Sequence, residues 1–539
     1  MKIERWRPFW HTPVWFLSLI LVIGILPVHA DENEAPAAPG RTMARQAIKG
    51  AEAWSTVDHA KLQALNKNFA TGAEITDACL SCHSEADAQF RESIHWTWLA
   101  NGDREKGKAG YSLNNFCLST NKLADESCLA CHPGWGTRRE AINCLACHSR
   151  KTMNFEEAFE DYQAFSVETD DESIEIAKEI QVSIQAAAQD IGRPVRDNCG
   201  SCHFYGGGGD GVKHGDLDSS LAKPSKSLDV HMGVDGQNFD CVRCHTTVSH
   251  HIAGRVYTTP AASHRKSLVE DDLAAKITCE SCHTATPHRD GSKVNDHTDK
   301  VACQTCHIPE FAREKPTKLS WDWSQAGKLK DGKPYKTKDE FGQYDYMSIK
   351  GSMEWAKQVR PEYHWFNGSI RSLTLKDEIT PGETVPVSRP VGGREDINSR
   401  IYPFKIHRGV QPYDTKTNRL LAPLLSGADG YWTTLDWQRA LSTGMKAVDL
   451  EYSGDFEFVE STYVFPITHM VAPGEKALSC NDCHVNTGSR LSTLTGFYMP
   501  GRDAANPVNS MGWLLVLGSV VGILVHGVGR FFTNGNKEK

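Results

Sequence analysis

CLACHPGWGTRREAINCLACH, residues 128–148, carries the pattern that decides how this chain folds. Two cysteines separated by two residues, with histidine directly after the second, occur twice within it, as Cys128, Cys131, His132 and Cys144, Cys147, His148. Working outward, the same pattern returns at Cys79, Cys82, His83; at Cys199, Cys202, His203; at Cys241, Cys244, His245; at Cys279, Cys282, His283; at Cys303, Cys306, His307; and at Cys480, Cys483, His484. Eight copies use sixteen of the seventeen cysteines. The spacing has a chemical reason: two thiols form thioethers with the two vinyl groups of one haem, and the adjoining imidazole reaches the iron. Zinc sites and disulfides also use paired cysteines. Neither requires histidine after every pair, so the expected cofactors are eight haem c groups.

A low-spin haem needs a second axial ligand. Outside the motifs and the two chain ends, twelve histidines remain: His59, His95, His214, His231, His250, His251, His264, His288, His297, His364, His407 and His469. His231, His297 and His469 each stand shortly before the first cysteine of a motif, which suits ligation of a neighbouring haem. The set expected to supply distal ligands is His95, His231, His251, His264, His288, His297 and His469. A solvent-exposed side chain is the competing reading for the surplus.

Hydrophobic residues at 40% and charged residues at 23% fit a soluble body rather than a disordered or polytopic chain. A net charge of −8 over 539 residues provides no basic surface for nucleic acid, and none is expected as a partner. The N-terminus reads as an export signal over residues 1–30, with Lys2, Arg5 and Arg7 before an apolar run and Val28 and Ala30 before a cleavage point. An uncleaved anchor competes with this, but the run is short for a bilayer span. Residues 31–50 read as a flexible leader. Near the other end, 511–530 is apolar enough for a transmembrane helix, and the basic tail 531–539 is expected to stay cytoplasmic. The body is therefore expected on the periplasmic side, tethered by one C-terminal helix. Gly518 and Gly522 have the spacing of a helix–helix contact, consistent with a homo-oligomer or a membrane partner.

Between these ends the chain divides into a haem-rich region, 51–307, with seven motifs, and a covering region, 308–510, with the eighth. The fold class expected is mainly α with much irregular structure, organised around a packed array of eight haems. One helix is legible: Ile174, Ala177, Ile180, Ile184 and Ala187 keep helical spacing behind Asp170, Asp171 and Glu172, before Gly192 and Pro194. The covering region reads as largely helical and irregular, with Trp321, Trp323, Trp355, Trp365, Trp432 and Trp437 packed against porphyrins.

A haem with two histidine ligands passes electrons but has no position for substrate, so catalysis needs an exception. After the fourth motif comes FYGGGGDGVKHGD, residues 204–216. Glycines let backbone approach a flat cofactor closely, and a lysine amine binds iron when burial keeps it neutral. A flexible surface loop with a solvated Lys213 would read the same. The eight motifs, seven clustered and one apart, the unpaired Cys117, and the glycine loop with Asp210 and Lys213 together resemble the octahaem tetrathionate reductase family of c-type cytochromes. That resemblance spans about residues 50–500. It implies that the haem on Cys128, Cys131 and His132 is reactive, with Lys213 as axial ligand and Asp210 and Cys117 beside its open face. The C-terminal anchor departs from soluble members of that family. By itself Cys117, between Phe116 and Leu118, is also what a small buried hydrophobe looks like.

The function this implies is respiratory reduction of a small sulfur or nitrogen compound: tetrathionate, nitrite or hydroxylamine. Electrons would come from a membrane quinol oxidase or a cytochrome b-type donor. The competing function is a non-catalytic conduit between such a donor and periplasmic carriers. Hydroxylamine oxidation ranks behind both, for want of that family's crosslinking tyrosine region. Pentahaem nitrite reductases are disfavoured because they place lysine inside the motif, and all eight motifs here end in histidine.

Overall fold

The computed structural model describes residues 39–47, 57–97, 111–113, 118, 120, 123, 130–136, 141–254, 257–258, 278–503 and 506–535. The expected export signal, Cys117, Cys128 and His264 lie outside these. The chain packs as two units, residues 1–51 with 279–296, and residues 52–278 with 297–539. In the smaller unit a helix, Pro39–Ala47, lies against the sixth motif; a side chain at Gly40 would strike the His283 carbonyl and Pro287.

The larger unit begins with short helices. Helix α1, Gly72–Leu80, starts on a Thr71 cap and delivers the first motif. Helices α2, Phe155–Phe165, and α3, Asp171–Gln189, pack together. Asp170 caps α3 by accepting from Ser173 N at 2.9 Å, and its acidic first turn suits the helix dipole. On one face Ile184, Ala187 and Ala188 are buried against Leu65, Phe69, Ile75 and Leu145. Helix α4, Arg196–His203, carries the fourth motif.

The covering region departs from the helical expectation. It is built on a nine-stranded sheet: β1 Thr317–Asp322, β2 Lys336–Lys338, β3 Tyr344–Met347, β4 Gly351–Ala356, β5 Glu362–Phe366, β6 Val385–Pro386, β7 Arg400–Asp414, β8 Arg419–Leu420 and β9 Phe456–Pro466. The path is β6-β9-β7-β1-β4-β3-β2, with β5 and β8 also paired to β7. Strand β7 is the spine. It runs antiparallel to β9 from Phe404↔Pro466 to Asp414↔Phe456, and parallel to β1 at Arg408↔Ser320. Its sequence hides this role, because Pro403 and Pro412 read as breakers and Lys405, His407, Gln411 and Asp414 are polar yet buried.

The tryptophans are corrected too. Trp321 and Trp323 stack at 4.8 Å and pack with Tyr431, Trp437, Trp355 and Trp432 into the main core beside the sheet. They fill protein interior; only Trp365, against Phe497, sits near a motif, the eighth. Past the sheet, the helix α5, Asn506–Gly535, contains a span from Ser510 to Phe532 with mean hydropathy 2.0, long and apolar enough to cross a membrane.

Truncating a fully buried indole leaves a cavity that the sheet cannot close. Trp323→Ala is expected to destabilise the folded protein by about 3–5 kcal/mol in denaturant unfolding.

Candidate functional site

Each described motif closes a single helical turn. His83, His148, His245, His283 and His484 donate their backbone N–H to the carbonyls of Cys79, Cys144, Cys241, Cys279 and Cys480 at 2.8–3.0 Å. Residues three and four apart then share one face, so both thiols and the imidazole point the same way. None of the fifteen described cysteines forms a disulfide. Among the described residues no cluster of three or more His, Cys, Asp or Glu side chains is placed to hold a zinc-like ion.

Four motif histidines face a second imidazole. The ring centroids of His59 and His83 are 6.4 Å apart, of His95 and His203 6.0 Å, of His245 and His469 6.2 Å, and of His297 and His484 6.1 Å. Two imidazoles bound to one metal through bonds of about 2 Å place their centroids about 6 Å apart, with ring planes free to rotate about the shared axis. These gaps therefore fit one iron each, including the 65° pair of His95 and His203.

The hydrogen bonds orient the rings for this. His148, His245 and His484 hold Nδ1 against the carbonyls of Gly192, Ala253 and Pro500 at 3.0, 2.8 and 2.8 Å. A carbonyl there accepts a hydrogen bond from Nδ1–H, which keeps the proton on Nδ1 and leaves the Nε2 lone pair for a metal. His469 uses the carboxylate of buried Asp216 in the same way, at 3.1 Å, and that oxygen also accepts from the backbone of Thr468 and His469. Burial, and after it neighbouring His95, pushes His203 down to about 4, so the ring is neutral as a ligand must be. Burial lowers His95 as well.

Motifs far apart in sequence meet. The sulfurs of Cys79 and Cys144, of Cys199 and Cys241, and of Cys131 and Cys202 approach one another in pairs. The first motif therefore lies beside the third, the fourth beside the fifth, and the second beside the fourth. Leu478 N donates to Cys306 O at 3.0 Å, which brings the seventh beside the eighth. His132 is placed differently: its ring lies 4.7 Å from the indole of Trp96, and its Nε2, the atom for a metal, is 3.3 Å from the Trp96 carbonyl.

The glycine loop begins where α4 ends. Gly207 and Gly208 have φ of +82° and +91°, and Lys213 N donates back to Gly206 O at 3.1 Å, so the loop closes on itself around Lys213. A Cβ at Gly207 would lie 3.3 Å from that of Lys213. The sheet grips the loop. Lys405, fully buried on β7, directs Nζ at the carbonyls of Val212 and Lys213 at 2.9 and 3.1 Å and at Thr317 Oγ1 at 2.6 Å. Thr317 Oγ1 donates to Gly211 O at 2.7 Å. Burial pushes Lys405 well below the ordinary lysine range, against a smaller opposing pull from Asp216; its three acceptors match the three protons of an ammonium. Lys213 itself is half-buried, with Nζ 5.8 Å from the Phe465 ring, and burial lowers its pKa.

Asp210 is heavily engaged. It accepts from Ser219 N at 2.9 Å, Ser219 Oγ at 2.6 Å and Lys315 Nζ at 2.8 Å. Partial burial would raise its pKa, but the bonds from Lys315 and Ser219 outweigh that and hold it below the usual value. Of the other expected ligands, His231 lies 3.9 Å from Asp229 and near Phe239, His251 is exposed on a two-residue strand, and His288 bonds Asn295 through Nδ1 at 3.2 Å. Sequence reasoning left His59 out of its ligand set and gave no role to Asp216 or Lys405. Only spare-histidine counting pointed toward His59; nothing marked Lys405, a lysine in the middle of a strand.

Comparison with known proteins agrees with this geometry. A family of bacterial cytochromes c matches residues 318–487. The crystal structure of an octaheme cytochrome c from Shewanella oneidensis superposes with a TM-score of 0.65 at 37% identity, covering 81% of this chain and 95% of that one. An uncharacterized protein of Archaeoglobus fulgidus is 24% identical over 247 residues, 37% of this chain and 82% of the relative.

Removing an opposed imidazole should open one coordination position. His59→Ala is expected to add one high-spin signal to the EPR spectrum with the others unchanged. Lys405→Met leaves two buried carbonyls without their donor and is expected to cost about 1–3 kcal/mol in denaturant unfolding.

Proposed function

Because the chain belongs to the octahaem cytochromes c, electron transfer through haem c is its general activity, and we propose that it is a membrane-anchored respiratory reductase whose substrate binds at a lysine-ligated haem. The observation that carries this is Lys213, kept half-buried on a self-closed loop that Lys405 and Thr317 clamp to the sheet. A solvated surface lysine has no need of such a clamp. The loop follows the fourth motif directly, and the second motif lies beside the fourth. Lys213 is therefore assigned as an axial ligand to the haem that Cys128, Cys131 and His132 would hold.

Opposed imidazole pairs, such as His59 with His83 and His245 with His469, suit the remaining haems for electron relay. When bound, each haem supplies one-electron chemistry at its iron, and the lysine-ligated one also supplies an open position. The chain's residues do the rest. Burial lowers the pKa of the Lys213 amine, which favours the neutral form whose lone pair can bind iron. Asp210, fixed by Ser219 and Lys315, shapes the loop, and its ion pair with Lys315 sets the local charge. Cys117 is assigned to the substrate face, where its thiolate would attack the central sulfur–sulfur bond of tetrathionate and expel one thiosulfate; two electrons would then cleave the resulting cysteinyl–sulfur bond, releasing the second thiosulfate and restoring the thiolate.

Tetrathionate is the substrate favoured first, its central bond cleaved by two electrons to give two thiosulfates; nitrite and hydroxylamine follow. The body faces the periplasm and its donor is a membrane quinol oxidase or cytochrome b-type protein. The non-catalytic conduit is the rival reading, favoured if Lys213 proves solvated.

Lys213→Ala decides between them. It is expected to abolish reduction of the oxyanion panel by viologen-reduced protein and to alter the spectrum of one haem. Full activity with an unchanged spectrum would refute the lysine ligand. Eight low-spin EPR signals and no binding of cyanide or nitrite would favour the conduit.

A further inference from the structure

The eighth motif stands alone in sequence, and the chain after it is tied back onto it. His484 Nδ1 bonds the Pro500 carbonyl at 2.8 Å, and a side chain at Gly501 would strike the His484 carbonyl. Arg502 donates to the carbonyls of Leu491, Leu494 and Phe497 at 2.6–2.9 Å and pairs with Asp503, which itself accepts from Met499 N at 2.7 Å. Asp503 is thus fixed relative to His484 and its facing partner His297.

The apolar span begins at Ser510, within a helix that starts at Asn506. Three chain steps from Asp503 to Asn506 reach at most about 10 Å, and four helical residues add about 6 Å. Whatever path the chain takes, the His297–His484 site cannot lie far from the start of the span. Ile397 and Tyr498, 85% and 68% exposed, suit the interfacial layer; Arg394 ties the loop of Ile397 to Gly496 beside Tyr498.

Inward from the same motif, one stretch of chain visits the other sites in turn. Leu478 bonds Cys306, Ala472 N donates to the His307 carbonyl at 2.8 Å, His469 faces His245, and the ring of Phe465 lies beside Lys213. Residues 465–484 therefore line up the eighth, seventh and fifth motifs with the lysine loop.

We infer that the site of Cys480, Cys483, His484 and His297 is where electrons enter from the membrane, and that 465–484 marks their route toward Lys213. This rests on the membrane-anchored reading above. The ultimate reductant is a membrane-dissolved hydroquinone. The membrane quinol oxidase or cytochrome b-type donor oxidises it to the quinone, two protons leave to the outer aqueous side, and two electrons pass singly from that donor to this site.

The test uses the full haem-loaded chain in native membranes, with duroquinol as reductant and haem reduction followed by absorbance. A rigid helical spacer of four Glu-Ala-Ala-Ala-Lys repeats after Asp503, about 30 Å long, is expected to slow duroquinol-driven reduction at least about tenfold while leaving the dithionite-reduced spectrum unchanged. His297→Met raises the potential at this one site. Electrons from duroquinol should then collect there first, as a fast phase of about one-eighth of the amplitude, one of the eight motifs. Unaltered duroquinol kinetics in both variants would overturn the entry site. Absence of dithionite-reducible haem in the parent chain would instead remove the electron-transfer reading on which it rests.

Discussion

An imidazole binds iron only while Nε2 keeps its lone pair, which requires the ring proton to stay on Nδ1. Backbone carbonyls of Gly192, Ala253 and Pro500 hold it there by accepting a hydrogen bond from Nδ1–H of His148, His245 and His484, and Asp216 accepts from His469. Each acceptor belongs to chain remote from the motif turn or just beyond it. Fixing the tautomer therefore fixes the path of the polypeptide, and each pair of rings standing about 6 Å apart records a gap shaped for one metal ion. The short helices and loops of the haem-rich region exist to meet these demands; little of their stability comes from helix propensity.

The sheet answers a different demand. The loop that carries Lys213 is too glycine-rich to hold itself. Strands β1 and β7 hold it, through Thr317 and the buried Lys405, whose Nζ donates to Thr317 Oγ1 and to the carbonyls of Val212 and Lys213. Lys405 on this central strand positions the loop, and β1, which carries both Thr317 and Trp321, connects it to the aromatic core.

Much of the chemistry was legible beforehand and much of the architecture was not. Eight repeats of a five-residue pattern reveal their cofactor because every atom needed to grip it is local in sequence. The helix at Asp171–Gln189 was legible for the same reason, its cap and apolar face both lying within one segment. Distal partners are not local: His59 finds His83 within a short reach, whereas His469 meets His245 across more than two hundred residues, and nothing in spacing encodes that. The sheet was missed because β7 inverts the usual pattern. Its prolines imitate a loop, and its buried Lys405 and His407 imitate a solvated face. Alternation in β9, with Phe456 and Phe458 separated by Glu457, offered a sounder clue.

All of this depends on covalent attachment of haem at every paired-cysteine turn. Intact-mass spectrometry of the purified full-length protein, followed by peptide mapping, measures that directly. The account predicts a mass equal to the processed polypeptide plus eight haems, with each added group on one Cys-x-x-Cys-His peptide. A mass matching the bare polypeptide, or motif cysteines recovered as free thiols or disulfides, would contradict it.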